Sequence, residues 1–491
     1  MRSVVVLTFA LAVSASAAGF NGAWDAVIVS NGVHVPFRLE VTESPARVCF
    51  FEDTQPVCST SAQIDAGTLV AQWDYLNSEL HLSPKDDGLA GSFRNRRARQ
   101  PSDVEARRHQ TAAAPEQAPA KLGGEWEVHS NQGRDVSWQL LLQQSGADLK
   151  GTILRVDGDV GTLVGHIDGA HFQISHFAGD RPTLLEGTLL DDGTLDLAQG
   201  RAKLYALRPA EARTRNLPPP PDPATFAKAH DPSERFHFSF PDLNGRTVTE
   251  KDFTGKPLIV SITGSWCPNC RDEAPFLGEL YRRYHEAGLQ IVGFCFEYAG
   301  DSTYAPLRAF IRKFAVEYPM LLTGEPSNLH AAVPQIDNIG AFPTSIYVGR
   351  DGTVKRVHTG FPSIGSGEEL TRVKSELRAV VEQMLAEPAS GGDITGTWTA
   401  AIDTQIGVQN YTYTFKLDGD KLTGKAKSQF GETEITEGSV KGDEVSFVEN
   451  LNFQGQPLRI EYKGKLAGDE IRFTRNVADV ATEEFVAKRA K

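Results

Sequence analysis

The sequence predicts a multidomain chain in which one α/β domain is flanked by all-β modules, each a small barrel or sandwich. Three observations predict it. A Gly-x-Trp followed by an alternating strand occurs three times. One long segment alternates apolar strands with amphipathic helices. Two stretches rich in Pro or Ala and polar residues divide the rest. Length agrees: 491 residues at about 150 per domain give three to four domains. With 40% hydrophobic and 23% charged residues the chain buries real cores, which excludes a wholly disordered or collagen-like protein. Acidic residues outnumber basic ones, 63 to 50, for a net charge of −13. Nucleic acid is therefore not expected as a partner, because phosphate binding needs a basic face.

The N-terminus comes first. Met1-Arg2-Ser3 precedes an apolar run from Val4 to Val13 and then Ser-Ala-Ser-Ala-Ala. An early positive charge, a short apolar core and small residues make a secretory signal, residues 1–17, cut after Ala17. The run falls short of the roughly 20 residues that span a bilayer. No Cys follows to carry a lipid, so stable membrane insertion is not expected. The expected product is periplasmic or secreted, in a compartment that permits disulfides.

The first β-rich module is expected over residues 19–93. Gly22-Ala23-Trp24 opens it, and F-R-L-E-V from Phe37 alternates. Cys49 and Cys58 sit in two apolar stretches around a polar turn, a hairpin with facing cysteines and a structural disulfide. Residues 94–120 lack apolar periodicity and are expected as a solvated linker. A second module, 121–209, opens with Gly124-Glu125-Trp126 and continues with W-Q-L-L-L from Trp138. A Pro-rich linker, 210–232, contains the stiff spacer Asn216–Pro223. The α/β domain is expected over 233–388, and a softer break falls at Pro388–Asp393. A third β-rich module, 392–490, opens with Gly396-Thr397-Trp398 and continues with Y-T-F-K-L from Tyr413.

The second and third modules share more. Leu149-x-Gly151 and Leu422-x-Gly424 are each followed fourteen residues later by Gly-x-x-x-Gly, at Gly165/Gly169 and Gly438/Gly442. This is a repeated β-meander with Gly and Asp turns. The first module keeps only the Trp, the first strand and a late Leu89-Ala90-Gly91. Each Trp is read as a plug for a small core rather than a binding platform, because large aromatics dominate small cores.

Within the α/β domain, Pro257–Thr263 reads as a fully buried strand and Cys270–Ala287 as a helix ended by Gly288. L-Q-I-V-G-F-C-F is the next strand, and Leu307, Phe310, Ile311 and Phe314 mark a second helix. A hairpin turns at Asp351-Gly352. Leu370, Val373, Leu377, Val380, Val381 and Met384 mark a closing helix. Cys295 is read as a small buried hydrophobe, with a reactive thiol left open as the odd cysteine.

Cys267-Pro268-Asn269-Cys270 follows a buried strand and opens a helix, the setting a redox C-x-x-C needs. Unpaired N–H groups and the dipole at the helix N-terminus favour a thiolate at Cys267, and the thiolate is the nucleophile in exchange. Cys270, one turn on, is in reach to resolve a mixed disulfide. Pro268 starts the helix without losing a donor. Zinc needs four ligands, and no second C-x-x-C or C-x-x-H lies near, so no metal is expected. No cofactor is expected.

The strings G-S-W-C-P-N-C-R-D-E-A-P-F-L and A-F-P-T-S-I-Y-V-G-R-D-G carry a resemblance. The segment Phe236–Leu385 resembles the thioredoxin fold, and within it the TlpA/ResA-like thiol–disulfide oxidoreductases of the bacterial cell envelope. The resemblance implies that Trp266 shields the disulfide, Cys267 attacks and Cys270 is the buried partner. It implies that Glu273 tunes the pair or relays its proton, that Pro275 kinks the helix, and that Pro343 is a cis-proline holding the partner chain. Phe342 would shape partner choice. Ser261 stands where thioredoxin has a buried carboxylate. The implied activity is exchange with cysteine-containing envelope proteins, apocytochrome c among them, in the direction of reduction, fed by a membrane thiol donor, with cell redox homeostasis and antioxidant activity as its wider setting. Glu297 is read as a turn residue.

Three rival classes make different demands on the sequence. Thioredoxin-fold peroxidases need Thr or Ser three residues before the reactive Cys and Pro four residues before that Thr, and this chain has Gly264 and Val260 there. A binding or adhesion protein would use the β modules to hold a glycan or a protein, and it predicts exposed aromatics on a sheet face. No G-x-S-x-G elbow supports a serine hydrolase.

Overall fold

A computed structural model describes residues 19–490 apart from 53–54, 96–99, 112–114, 131–136, 299–302, 388–393, 405–406, 419, 442, 454–455 and 479. The expected signal segment and the break at Pro388–Asp393 lie outside the described residues.

Each β module is a meander whose last strand returns to its first. In the first, nine strands run from Gly22–Ser30 to Ser102–Arg108, and those two pair antiparallel with Trp24 opposite Arg108. In the second, Gly124–Ser130 pairs with both Trp138–Ser145 and Ala202–Leu207, which closes the ring. In the third, eight strands from Gly396–Thr404 to Ala481–Arg489 form a closed barrel, with Trp398 opposite Arg489. Alternation explains the shape: inward positions of the strand Gly407–Asp418, such as Tyr411, Tyr413 and Phe415, are buried, and their neighbours face water. A ring of about eight strands leaves an interior that side chains fill.

The three tryptophans do the same job. Trp24, Trp126 and Trp398 are all buried. Each donates its indole N–H to a carbonyl four residues earlier, Phe20, Leu122 and Ile394 respectively, all at 2.8 Å. Each has an arginine from the end of the module's last strand over its ring: Arg108 at 4.0 Å, Arg208 at 3.8 Å and Arg489 at 4.4 Å. The indole packs into the barrel floor, its N–H finds a partner, and the cation covers the face left toward solvent.

This corrects the expected linker over 94–120. Ser102–Arg108 is a strand and supplies the closing arginine of the first module. Only Val104 and Ala106 point inward, so two small apolar residues among charges gave too short a period to read. The expected Pro-rich linker over 210–232 also holds more order. It carries a helical turn Pro209–Thr214, and Lys228–Ala229 pairs with Ile336–Asp337. Its Pro223 carbonyl accepts from the Thr359 backbone at 3.0 Å, which ties the proline run to the α/β domain.

The α/β domain is built on a five-stranded sheet in the order Met320–Gly324, Gln290–Phe296, Leu258–Thr263, Thr344–Val348, Val354–Thr359. The first three are parallel and the last two antiparallel to their neighbours. Leu258–Thr263 is central and every residue of it is buried, as a strand covered on both faces requires. Val260 and Ile262 face one apolar layer with Phe294 and Ile346. Ile259 faces the other, where it meets Phe276, Leu277 and Leu280 of the helix Pro268–Tyr284 and Val373, Leu377 and Val381 of the helix Glu368–Ala386. Among the described residues no helix is long and apolar enough to cross a membrane.

The first two barrels and the α/β domain pack on one another. Phe177, Ala178 and Leu184 of the second barrel and Ala309 of the α/β domain join the apolar cluster of the first. Phe177 meets Phe37, Phe50 and Phe93 edge-on, with ring centroids 4.8 to 5.1 Å apart.

Candidate active site

The central strand ends at Thr263, and Gly264-Ser265-Trp266 carries the chain into the motif helix. Gly264 is required there: a Cβ would lie 2.8 Å from the Phe296 carbonyl oxygen and 2.4 Å from the Trp266 indole nitrogen. Cys267 is the N-cap of the helix Pro268–Tyr284, with Pro268 in the first turn. The Cys270 backbone N–H donates to the Cys267 sulfur at 3.3 Å, and the Cys267 thiol donates to the Phe342 carbonyl at 3.3 Å. Phe342–Pro343 is a cis peptide, and its Phe342 carbonyl is the one that meets the Cys267 thiol. Cys49 and Cys58, the other cysteine pair, are bonded to each other across the hairpin strands Ala46–Glu52 and Gln55–Cys58, far along the chain from this site.

Trp266 covers one flank. Its indole N–H donates to the Phe296 carbonyl at 2.7 Å, and its ring lies 4.9 Å from Phe342 and 5.2 Å from Tyr298. Glu297 proves to be more than a turn residue. Its carboxylate accepts from the Ser265 backbone N–H and the Ser265 hydroxyl, both at 2.7 Å, which fixes the loop before the first cysteine. Nothing local in the sequence announces this, because the partners are 32 residues apart.

Glu273 is 2% exposed and stands one turn past Cys270. Ser261 and Ser345 are paired directly across adjacent strands, so their side chains share a face and point toward the helix. Both hydroxyls donate to the Glu273 carboxylate, at 2.9 and 2.7 Å. Burial nonetheless outweighs these donors and pushes the Glu273 carboxyl from 4.5 up to about 7. Ser261, at the position of thioredoxin's carboxylate, thus holds a carboxylate that comes from the helix instead.

Cys267 is 2% exposed and Cys270 1%. Burial, together with the neighbouring Cys267 and the charge of Glu273, raises the Cys270 thiol well above its ordinary range. Burial likewise raises the Cys295 thiol, which lies in the apolar layer beneath the helix. A neutral, enclosed thiol is a poor nucleophile. Among the described residues no group of three or more His, Cys, Asp or Glu is placed to hold a metal ion.

The structure also places Asn269 where sequence gave no warning. It is 2% exposed. Its amide donates to the Asp159 carbonyl at 3.0 Å and the Phe361 carbonyl at 3.1 Å, and Arg181 donates to its oxygen at 3.0 Å. Two of these partners belong to the second barrel.

Comparison with known proteins agrees with this geometry. The AhpC/TSA family model matches residues 233–357. The thiol–disulfide oxidoreductase ResA of Bacillus thuringiensis subsp. konkukian is 29% identical over 120 residues, which is 24% of this chain and 63% of that protein. ResA of Bacillus subtilis is 27% identical over 128 residues, 26% of this chain and 66% of that protein. The chain therefore spans a little under two thirds of the first of these relatives, and the match leaves the β modules outside. A thioredoxin-family thiol:disulfide interchange protein from Chlorobium tepidum is similar in structure, with 22% identity and a TM-score of 0.26, covering 32% of this chain and 100% of that one. The segment that carries Cys267 and Cys270 is an AhpC/TSA thioredoxin-fold domain, related to the TlpA/ResA-like thiol–disulfide oxidoreductases.

Proposed function

We propose that this chain is an exported thiol–disulfide oxidoreductase that reduces disulfides in cysteine-containing proteins. The carrying observation is the placement of Cys267 as a helix N-cap, with the Cys270 N–H on its sulfur and the cis-Pro343 loop against it. The Cys267 thiolate attacks one sulfur of a client disulfide and displaces the other as a thiolate. Cys270 then attacks the Cys267 sulfur, releases the second client thiolate and leaves a Cys267–Cys270 disulfide. Two electrons have passed to the client, and a membrane thiol donor returns two to the pair. Glu273, neutral or charged near pH 7, exchanges the proton that Cys270 must lose. Trp266, Pro268, Phe342 and Pro343 form the client-facing rim. Apocytochrome c is one client that the family resemblance of the motif segment implies.

The chain is read as three β modules around this redox domain, with the first extended through Arg108. Burial of Trp24, Trp126 and Trp398 weighs against the modules as aromatic platforms for a glycan. Gly264 and Val260 weigh against peroxide chemistry at Cys267.

The test is exchange with a protein disulfide in a defined thiol buffer. Cys267→Ser abolishes it, and Cys270→Ser accumulates a mixed disulfide with the client. An active Cys267→Ser protein refutes the mechanism. A pair potential near about −270 mV supports a reductase, and one near about −120 mV reverses the direction to oxidation.

A further inference from the structure

The start of the motif helix packs against the second barrel through the buried Asn269. The second barrel's strands Asp148–Arg155 and Gly158–Asp159 pair with each other, and Asp159 at the end of the second leans on the redox domain. The Asp159 carbonyl takes the Asn269 amide, as described. The Asp159 carboxylate accepts from the Ser363 backbone N–H and hydroxyl, both at 2.8 Å, and from the Ser366 hydroxyl at 2.5 Å. The backbones touch as well: a Cβ on Gly360 would lie 2.3 Å from the Gly158 nitrogen. Arg181, from the loop after His171–His176, closes the cluster on Asn269.

Two physical points follow. Exchange requires the client's sulfur to approach the attacking sulfur, and Cys267 is 2% exposed in this arrangement. Toward the motif the joint is held by neutral donors on one buried carboxylate and by one arginine on an amide, while the apolar contacts of Phe177, Ala178 and Leu184 run to the first barrel. Water replaces such bonds at modest cost, unlike a dry apolar core. The joint is therefore specific in its geometry and separable.

We propose that the second β barrel is an intramolecular cover for the Cys267–Cys270 pair, latched through Asp159 and Arg181, and that a protein client reaches Cys267 only once this latch opens. The client half of this statement rests on the oxidoreductase reading; the cover itself does not. The barrel packs on Asn269 inside the motif and on the Gly360–Ser366 segment beside it, so a client approaching Cys267 from that side competes with it for space. Release of the cover selects clients that bind the rim tightly enough to hold the barrel away.

The experiment labels the reduced full-length protein with iodoacetamide and follows Cys267 and Cys295 separately by peptide mass spectrometry. It compares wild type with the Asp159→Ala/Arg181→Ala double variant. The expected result is a rise of roughly tenfold in the Cys267 rate, as for loss of hydrogen bonds to a charged group, with Cys295 unchanged. Equal Cys267 rates in the two proteins overturn the proposal. So does a wild-type Cys267 that reacts as fast as a cysteine in an unfolded chain. Should the double variant label Cys295 as fast as Cys267, it has lost its fold and the wild type decides alone. Cys267 labelling well ahead of Cys295 in the wild type then supports local opening, while equal rates mean that the cover leaves only on global unfolding and overturn it. Labelling needs no disulfide turnover. A protein that shows the labelling difference but reduces no client counts against the oxidoreductase reading alone.

Discussion

Glu273→Gln isolates what a buried acid costs this fold. In the wild type the carboxyl moves from 4.5 in the unfolded chain to about 7 in the native site, because burial penalises its charged form more than Ser261 and Ser345 relieve it. Between those two values the native protein keeps a proton that the unfolded chain has released. The unfolded state therefore binds fewer protons, and stability falls as pH rises. The contribution is intact below pH 4.5 and lost as pH climbs through 7. The full difference is about 3 kcal/mol. Gln keeps the shape and cannot ionise; its Oε1 accepts from one serine and its Nε2 donates to the hydroxyl oxygen of the other. Urea unfolding of the two reduced proteins, from pH 4 to pH 8, measures the effect. The wild type should lose about 3 kcal/mol more than the variant across that range. Two curves that stay parallel would refute the argument that Glu273 is titrating in a dry site. Ser345→Ala serves as a second check, since removing a donor that favours the charged form moves the wild-type transition to higher pH.

Further outcomes follow from other sites. His358 is buried and held down to about 4, chiefly by burial. Its native form binds fewer protons than the unfolded one below pH 6.5, so its contribution is present above that pH and lost as pH falls through 4; His358→Gln should flatten this acid limb of the unfolding curve by about 3 kcal/mol. Arg208 donates to the Glu125, Gly123 and Leu122 carbonyls and lies over Trp126. Arg208→Ala should cost about 2 kcal/mol in thermal or urea unfolding, and Trp126→Ala about 3–5. Opening the Cys49–Cys58 bridge, at a sequence separation of 9, should cost about 3 kcal/mol by loop entropy and leave thiol exchange at Cys267 unchanged.

What the sequence displays depends on whether a feature repeats within a few residues. The strands of the α/β sheet and the helices that cover it carry clear periods, and the motif sits at a strand-to-helix junction that any reader of turns and caps finds. The Gly-x-Trp strands announce the barrels in the same way. Features held by distant partners do not announce themselves. Ser102–Arg108 is a strand because Trp24 waits for Arg108, more than eighty residues back, and its own pattern is too poor to say so. Asn269 reads as a filler between two cysteines, yet its partner Asp159 lies 110 residues upstream. Ser261 and Ser345 are ordinary strand residues until the sheet sets them side by side under Glu273. The sequence carries one more sign of closure: each Trp module ends on an arginine, at Arg108, Arg208 and Arg489.

Those arginines also set an order of events during synthesis. A barrel whose first strand is closed by its last cannot shut until its final residues have left the ribosome, and until then it holds an open edge. The first module completes only with Arg108 and the second only with Arg208, both before any of the redox domain exists. The closing residues of both barrels thus precede the two motif cysteines along the chain, so either barrel can shut without any part of the redox domain.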